Sequence, residues 1–101
     1  MRDYVFAPSA RDDLQAITSY LRDAAGAEVA RAVVFRIRDR CSLLAETAGT
    51  LGAAREDILA ELRSLPIPPY VLFFRYGDVS VEIVRILHGR RDINRIFDED
   101  E

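Results

Sequence analysis

The sequence has no lysine, no tryptophan, one cysteine, one histidine and no apolar run near the roughly 20 residues of a membrane span. A lone Cys41 cannot form an internal disulfide, and together with His88 it is too small a set for a Cys/His zinc site. There is no glycine-rich phosphate loop and no start that resembles a signal peptide. These absences predict a cytoplasmic protein that does not span a membrane and holds neither a metal nor another cofactor.

Because lysine is absent, all 14 basic residues are arginine, whose planar guanidinium holds carboxylate or phosphate in a fixed geometry. The formal net charge is −3, and four of the 17 acids form the terminal run Asp98-Glu99-Asp100-Glu101. Without that run the basic residues outnumber the acids by one. Such a near-neutral body disfavours a general nucleic-acid coat, and no direct sequence-specific binding to nucleic acid is expected.

The chain, with 101 residues, is expected to form a single domain. Residues 2–7 predict a short strand that Pro8 ends. Ser9 is placed to cap an amphipathic helix that runs to about Ala25, and Gly26 fits the end of that helix.

A second, longer helix is predicted over residues 27–48, antiparallel to the first. Its apolar stripe is made by residues at helical spacing: Ala30, Val33, Ile37, Cys41, Leu44 and Ala48. Because Cys41 lies on this stripe, a packed thiol is favoured over a reactive one.

In the second half of the chain the apolar period changes to two, which indicates strands. Residues 58–63 predict a half-buried strand, residues 64–69 a proline-rich connection, and residues 70–76 a strongly β-prone strand. Gly77-Asp78 predicts a two-residue hairpin turn into a last strand that ends at Leu87.

The parity of this hairpin divides the sheet into two faces. One face is expected to pack on the helices: Leu72, Phe74, Tyr76, Val79, Val81, Ile83 and Leu87. The other is mixed and is expected to stay open: Val71, Phe73, Arg75, Ser80, Glu82, Val84, Ile86 and His88, joined by Glu61 and Arg63. The predicted fold class is α+β, a two-layer β-α-α-β-β-β domain whose helical hairpin packs on a small, mainly antiparallel curved sheet, with a short C-terminal helical segment.

Four stretches, in this order and at these spacings, resemble a known family. They are Tyr4 to Asp13, Glu61-Leu62-Arg63, Tyr70 to Tyr76, and Ile83 to Asp92 with its Leu87-His88-Gly89-Arg90-Arg91-Asp92. Together they are similar to the RelE/ParE superfamily, the toxins of bacterial type II toxin–antitoxin modules, and they favour its ParE-like branch. The resemblance spans nearly the whole chain.

The ParE-like branch implies a protein that poisons DNA gyrase and needs no catalytic residues. The target-binding surface would then consist of Arg63, Arg75, His88, Arg90, Arg91, Asp92 and Phe97. The RelE-like branch implies instead a ribosome-dependent messenger-RNA endoribonuclease, whose acid–base and phosphate chemistry would draw on Arg63, Arg75, Arg91 and His88. The sequence disfavours this branch, because Phe97 stands where some of these enzymes have a tyrosine, their lysines are absent and the body is not basic.

These residues also have structural interpretations. Arg75 and Glu82 lie close across the predicted hairpin, where a surface ion pair contributes about 0.2–1 kcal/mol. His88 before Gly89 fits the end of a strand, and Asp92 fits the start of a final helical turn, where its charge is favourable. At the level of sequence both interpretations stay open.

The resemblance also implies a small cognate antitoxin, ParD-like or similar, that forms a hetero-oligomer with this chain. Exposed apolar positions on the two helices supply a candidate antitoxin-binding surface: Tyr20, Val29, Val34 and Phe35. The edge of a small sheet offers a further site for strand addition. A third interpretation is an antitoxin-binding module that has lost its toxic activity.

Overall fold

The computed structural model describes residues 2–100, apart from the side chain of Asp100, so Glu101 of the predicted terminal run lies outside the described residues. Its elements follow in chain order: β1 (Asp3–Phe6), α1 (Pro8–Ala25), α2 (Ala27–Glu46), β2 (Ala53–Ala54), β3 (Arg63–Ile67), β4 (Tyr70–Tyr76), β5 (Ser80–His88) and α3 (Ile93–Asp100). The strands form one sheet in the order β1-β5-β4-β3-β2, with β1 parallel to β5 and the other pairs antiparallel. The predicted α+β class, with its helical hairpin and closing helix, is confirmed. None of the described helices is long and apolar enough to cross a membrane.

The helical hairpin begins directly after the first strand. Ala7 is the N-cap of α1 and Pro8 its first residue, so the predicted cap at Ser9 is wrong. Proline suits the first helical position because the missing N–H has no partner there and its φ is already helical. Gly26 then separates α1 from α2 with a φ of 99°, a conformation that favours glycine and lets the chain reverse within one residue.

The two long helices cover one side of the sheet. Their buried side chains are Ala10 and Leu14 of α1 and Ala30, Ile37, Cys41, Leu44 and Ala45 of α2. The sheet contributes to this helix-side core with Ile67, Tyr70, Leu72, Phe74, Val81, Ile83 and Ile86. The removal of both sets of apolar side chains from water drives the two layers together.

The opposite side of the sheet is covered as well, so the prediction of an open second face is wrong. Leu62, Phe73, Leu87 and Phe97 are buried together there. Phe97 belongs to α3, and Leu62 ends the segment that leads into β3. We call this cluster the second core. An uncovered face would leave large apolar side chains such as Phe73 in water, which a small domain avoids.

Residues 58–63 do not form the predicted strand. Instead the chain turns compactly, with the N–H of Ile58 donating to the Arg55 carbonyl at 3.0 Å and that of Leu62 to the Leu59 carbonyl at 3.2 Å. Glu61 has a φ of 64°, which is incompatible with a strand. β3 follows and occupies most of the predicted connection.

The turn between β4 and β5 lies one residue later than predicted. The last pair is Tyr76 with Val81, and the N–H of Gly77 donates to the Ser80 carbonyl at 2.8 Å, so the two residues at the tip are Asp78-Val79 rather than Gly77-Asp78. Val79, predicted to face the helices, is instead 80% exposed at the tip.

A β-bulge then shifts the register of β5 against β4. Phe74 pairs with Ile83 whereas Phe73 pairs with Arg85, which leaves Val84 as the extra residue. Because side chains alternate along a strand, one inserted residue moves all later side chains to the other face. The residues that change face relative to the prediction are Ile86, Leu87 and His88.

α1 is tied to β5 directly after this bulge by the carboxylate of Asp13. The carboxylate accepts hydrogen bonds from Nε and Nη2 of Arg85 at 2.7 and 2.8 Å, and from the backbone N–H of Ile86 at 2.9 Å. The Arg85 and Asp13 side chains are only 11% and 10% exposed. β1 pairs with β5 only as far as Ile83, so Asp13 satisfies a backbone donor beyond the end of that pairing.

Replacing Asp13 with Asn should lower the free energy of unfolding by about 2–4 kcal/mol, because it removes the buried charge that Arg85 and the Ile86 N–H share. Urea denaturation followed by circular dichroism measures this difference. Asp12→Asn is the matched control, since Asp12 is exposed on the same helix and should cost below about 1 kcal/mol. Equal stability of the two variants would contradict the role given to Asp13.

Cys41 lies wholly inside the helix-side core, as predicted. Burial raises the pKa of its thiol to about 12, although the charge of Arg38 acts in the opposite direction. At a pH above the ordinary pKa of 9.0, the folded protein therefore keeps the thiol proton of Cys41, whereas the unfolded protein releases it. The contribution of Cys41 to stability is accordingly complete below pH 9 and falls as the pH rises toward 12.

A thiol-specific chromogenic reagent should leave Cys41 unmodified in native protein at pH 8. The thiol stays protonated at this pH, and its burial keeps the reagent away from the sulfur. The same protein unfolded in urea should react with one equivalent of reagent. Absorbance of the released chromophore reports both rates. Fast labelling of native protein would show that the helix-side core opens readily or that the thiol is not packed.

Candidate target-binding surface

Arg63, one of the predicted target-binding residues, lies at the start of β3 and binds backbone. Its Nε donates to the Leu51 carbonyl at 2.9 Å and its Nη2 to the Gly52 carbonyl at 2.7 Å. It pairs with Phe74, whose side chain belongs to the helix-side core, so it does not share a face with Arg75 as predicted. Its guanidinium fastens the loop before β2.

Arg75 lies on the other side of the sheet, directly opposite Glu82. Its Nη2 is 3.0 Å from Glu82 Oε1, and the two side chains are 40% and 44% exposed. The alternative of a cross-strand ion pair is therefore confirmed for this residue. An exposed pair of this kind contributes about 0.2–1 kcal/mol and leaves the guanidinium partly engaged.

His88 ends β5 on the helix-facing side, since the bulge has reversed its parity. Its ring meets the Tyr70 ring edge-on with centroids 5.8 Å apart. Its Nδ1 accepts a hydrogen bond from the backbone N–H of Arg90 at 3.1 Å, and its carbonyl accepts from Arg91 at the same distance. Burial raises the pKa of the neighbouring Tyr70 hydroxyl. His88 therefore shapes the turn that follows it.

Residues 88–92, which we call the basic turn, present Arg90 and Arg91 to solvent. Asp92 caps the N-terminus of α3, because its Oδ1 accepts a hydrogen bond from the N–H of Arg95 at 3.2 Å. The N–H of Gly89 also donates to the Pro69 carbonyl at 2.9 Å, which ties the turn to the β3–β4 connection. Neither Arg90 nor Arg91 has an ion-pair partner among the described side chains.

Phe97 is not available to a partner, contrary to the sequence-based expectation. It is 3% exposed, and its ring meets the Phe73 ring edge-on at a centroid distance of 5.1 Å. An aromatic side chain so placed contributes through burial and ring contact. Its function in this structure is to hold α3 on the second core.

The predicted target-binding residues therefore do not converge on one face. Arg63 and His88 share the helix-facing side but align with Phe74 and Tyr70, which are about 13 Å apart along β4. Arg75 points to the opposite side. Among the side chains that the structure describes, no group of three or more His, Cys, Asp or Glu could hold a metal ion. Of the predicted residues, Arg90 and Arg91 of the basic turn stay exposed and have no charged partner among the described side chains.

The candidate antitoxin-binding residues lie on α1 and α2, as predicted, and differ in exposure. Tyr20 is 68% and Phe35 72% exposed, and Val29 is 44% exposed. Val34 is only half-buried and lines a groove between the two helices. Sequence reasoning missed the arginines beside it, Arg11, Arg22, Arg31 and Arg38, whose alignment along the facing sides of two helices depends on how the helices pack.

Comparison with known proteins supplies the family. The family model described as the ParE toxin of type II toxin–antitoxin system, parDE, matches residues 4–93, from β1 to the first residue of α3. Among solved structures, the chain is similar to the chromosomal ParDE toxin–antitoxin system from P. aeruginosa, with 27% sequence identity and a TM-score of 0.73. That match covers 87% of this chain and 96% of the other. No curated protein matches the chain. The chain belongs to the ParE toxin family.

Phe97→Ala should lower the free energy of unfolding by about 3 kcal/mol, because it empties a buried ring site against Phe73. Phe35→Ala removes the same side chain from an exposed position and should change stability by less than about 0.5 kcal/mol. Thermal or urea unfolding of the two variants compares them directly. A small effect of Phe97→Ala on the free energy of unfolding would contradict the burial of this side chain.

Proposed function

We propose that this chain is the toxin of a type II module, that it inhibits DNA gyrase, and that a cognate antitoxin neutralises it. Membership of the ParE toxin family is the observation that carries the proposal. The similar P. aeruginosa structure is of a ParDE toxin–antitoxin system, which supports an antitoxin partner here. Since gyrase and the antitoxin are met inside the cell, the proposal locates the chain in the cytoplasm.

The basic turn is the proposed target contact. Three hydrogen bonds brace its backbone, from Arg90 to the His88 ring, from Arg91 to the His88 carbonyl and from Gly89 to the Pro69 carbonyl. A cationic side chain on a braced backbone loses less freedom on binding than one on a loose loop. Such a turn suits an anionic surface, as gyrase with its DNA offers.

The geometry does not favour the ribonuclease alternative. Cleavage at a 2′-hydroxyl needs a base, an acid and cations within hydrogen-bond reach of one phosphate. Arg63 instead binds loop carbonyls, and Arg75 is paired with Glu82 on the side of the sheet opposite His88. The proposal therefore assigns no catalytic residue.

The three interpretations differ in an assay of purified protein. Gyrase supercoiling of plasmid DNA should be inhibited, and Arg90→Gln/Arg91→Gln should raise the half-inhibitory concentration about tenfold, since two exposed charges leave the contact. Arg40→Gln is the control, because Arg40 lies on α2 and pairs with its neighbour Asp39. Circular dichroism confirms that each variant is folded.

Two results would contradict the proposal. Messenger-RNA cleavage on programmed ribosomes without gyrase inhibition would establish the ribonuclease alternative. Folded protein that inhibits neither system, and that cells tolerate without its antitoxin, would establish the inactive module. Inhibition by wild type and by the double variant alike would keep gyrase as the target and move the contact away from the basic turn.

A further inference from the structure

The connection between β3 and β4 consists of two exposed residues, Pro68 and Pro69. Because proline has no backbone N–H, this connection can form hydrogen bonds only through its two carbonyl oxygens. Both are used. The Pro68 carbonyl accepts a hydrogen bond from Nη2 of Arg36 at 2.8 Å, and the Pro69 carbonyl accepts one from the N–H of Gly89 at 2.9 Å. The connection therefore joins α2 to the basic turn.

The basic turn takes its position from this connection and from the start of β4. Of the three hydrogen bonds that brace its backbone, two return to His88 inside the turn, and the third, from Gly89 to Pro69, reaches another part of the chain. The residue after Pro69 is Tyr70, which pairs with His88 across the two strands and meets its ring edge-on. Two adjacent residues, Pro69 and Tyr70, thus set where the turn lies.

Arg36 ties the connection to the helical layer. It directly precedes Ile37, which is fully buried, so the backbone of Arg36 cannot shift without disturbing the helix-side core. Its side chain is exposed and crosses from α2 to the Pro68 carbonyl. Burial raises the pKa of the Tyr70 hydroxyl, and the charge of Arg36 acts in the opposite direction. Arg36 therefore lies close to both residues that flank Pro69.

A hydrogen bond restrains its donor only as firmly as its acceptor is held. The Pro69 carbonyl belongs to an exposed connection, which the bond from Arg36 anchors to a packed helix. Without that anchor the Gly89 N–H would move together with the connection. Arg90 and Arg91 would then have more conformational freedom in the free protein and would lose more of it on binding.

We infer that Arg36 is a positioning residue for the basic turn. Through the Pro68 carbonyl it holds the connection to which Gly89 is bonded, and it so orients Arg90 and Arg91 toward the target without touching the target itself. The inference rests on the proposed function for the identity of the target, and on the two hydrogen bonds for the positioning. It gives α2 a part in target binding.

Amide hydrogen exchange followed by NMR tests the positioning without any target. Arg36→Met removes the donor but keeps a long side chain, and it should speed exchange of the Gly89 N–H about fivefold, as the loss of one hydrogen bond allows. Arg36→Lys keeps a charged donor and should restore the wild-type rate. Amides of the β4–β5 ladder report global unfolding and should exchange alike in all variants.

Arg40→Met is the matched control, because Arg40 lies one turn further along α2 and bonds Asp39 rather than the connection. It should leave the exchange of the Gly89 N–H unchanged. Wild-type exchange in Arg36→Met, or equal acceleration by Arg36→Met and Arg40→Met, would overturn the inference. Equal acceleration of the ladder amides would reduce Arg36 to a general stabilising role and would overturn it as well.

Gyrase supercoiling measures the consequence for target binding. Arg36→Met should raise the half-inhibitory concentration about fivefold, while Arg36→Lys and Arg40→Met should inhibit like wild type. Added to Arg90→Gln/Arg91→Gln, the Arg36→Met change should cost nothing further, because Arg36 acts through these two residues. A full fivefold loss in that background would show that Arg36 contacts the target directly, and it would overturn the positioning role.

The two assays separate this inference from the proposed function. Gyrase inhibition by wild type and by Arg36→Met alike would overturn the inference and leave the proposed function in place. A folded wild type that does not inhibit gyrase would refute the proposed function and, with it, the target named here. Exchange of the Gly89 N–H would then still decide whether Arg36 positions the basic turn.

Discussion

The carboxylate of Asp13 is the contact on which the arrangement of both layers depends. It lies on the first turns of α1, yet all three of its hydrogen bonds go to β5, two to the Arg85 guanidinium and one to the Ile86 N–H. These groups lie two and three residues beyond Ile83, the last residue of β5 that pairs with β1. Where the pairing with β1 has ended, the Asp13 carboxylate thus accepts a backbone hydrogen bond of β5 in place of a neighbouring strand. The same contact fixes where α1 crosses the sheet.

The bulge beside this contact decides what the sheet presents at its end. With Val84 inserted, Ile86 faces the helices, Leu87 enters the second core and His88 meets Tyr70. Had β5 continued in simple alternation, His88 would have projected from the same face of the sheet as Arg75, as the sequence predicts. The His88 ring instead accepts a hydrogen bond from the backbone N–H of Arg90, and its side chain thereby stabilises the basic turn.

Features that repeat over many residues were predictable, and features that rest on one residue or on distant partners were not. The two helices and the strand over residues 70–76 follow from sustained periodicity. The bulge has no such signal, because Val84 and Arg85 continue an ordinary alternation. The prediction of a strand over residues 58–63 was wrong because apolar residues in a compact turn and in a strand give similar short patterns. The partner of Arg85 lies 72 residues away in sequence, where only tertiary packing brings it near.

The absence of lysine makes arginine placement the main source of functional information. A guanidinium that binds a carbonyl or a paired carboxylate is part of the scaffold, and Arg63, Arg75 and Arg85 are all of this kind. The remaining forks gather in two places, the groove between α1 and α2 and the basic turn that leads to α3 on the other side of the sheet. Because these two sites use different elements, substitutions at one of them leave the other in place, provided that Asp13 and the second core are left intact.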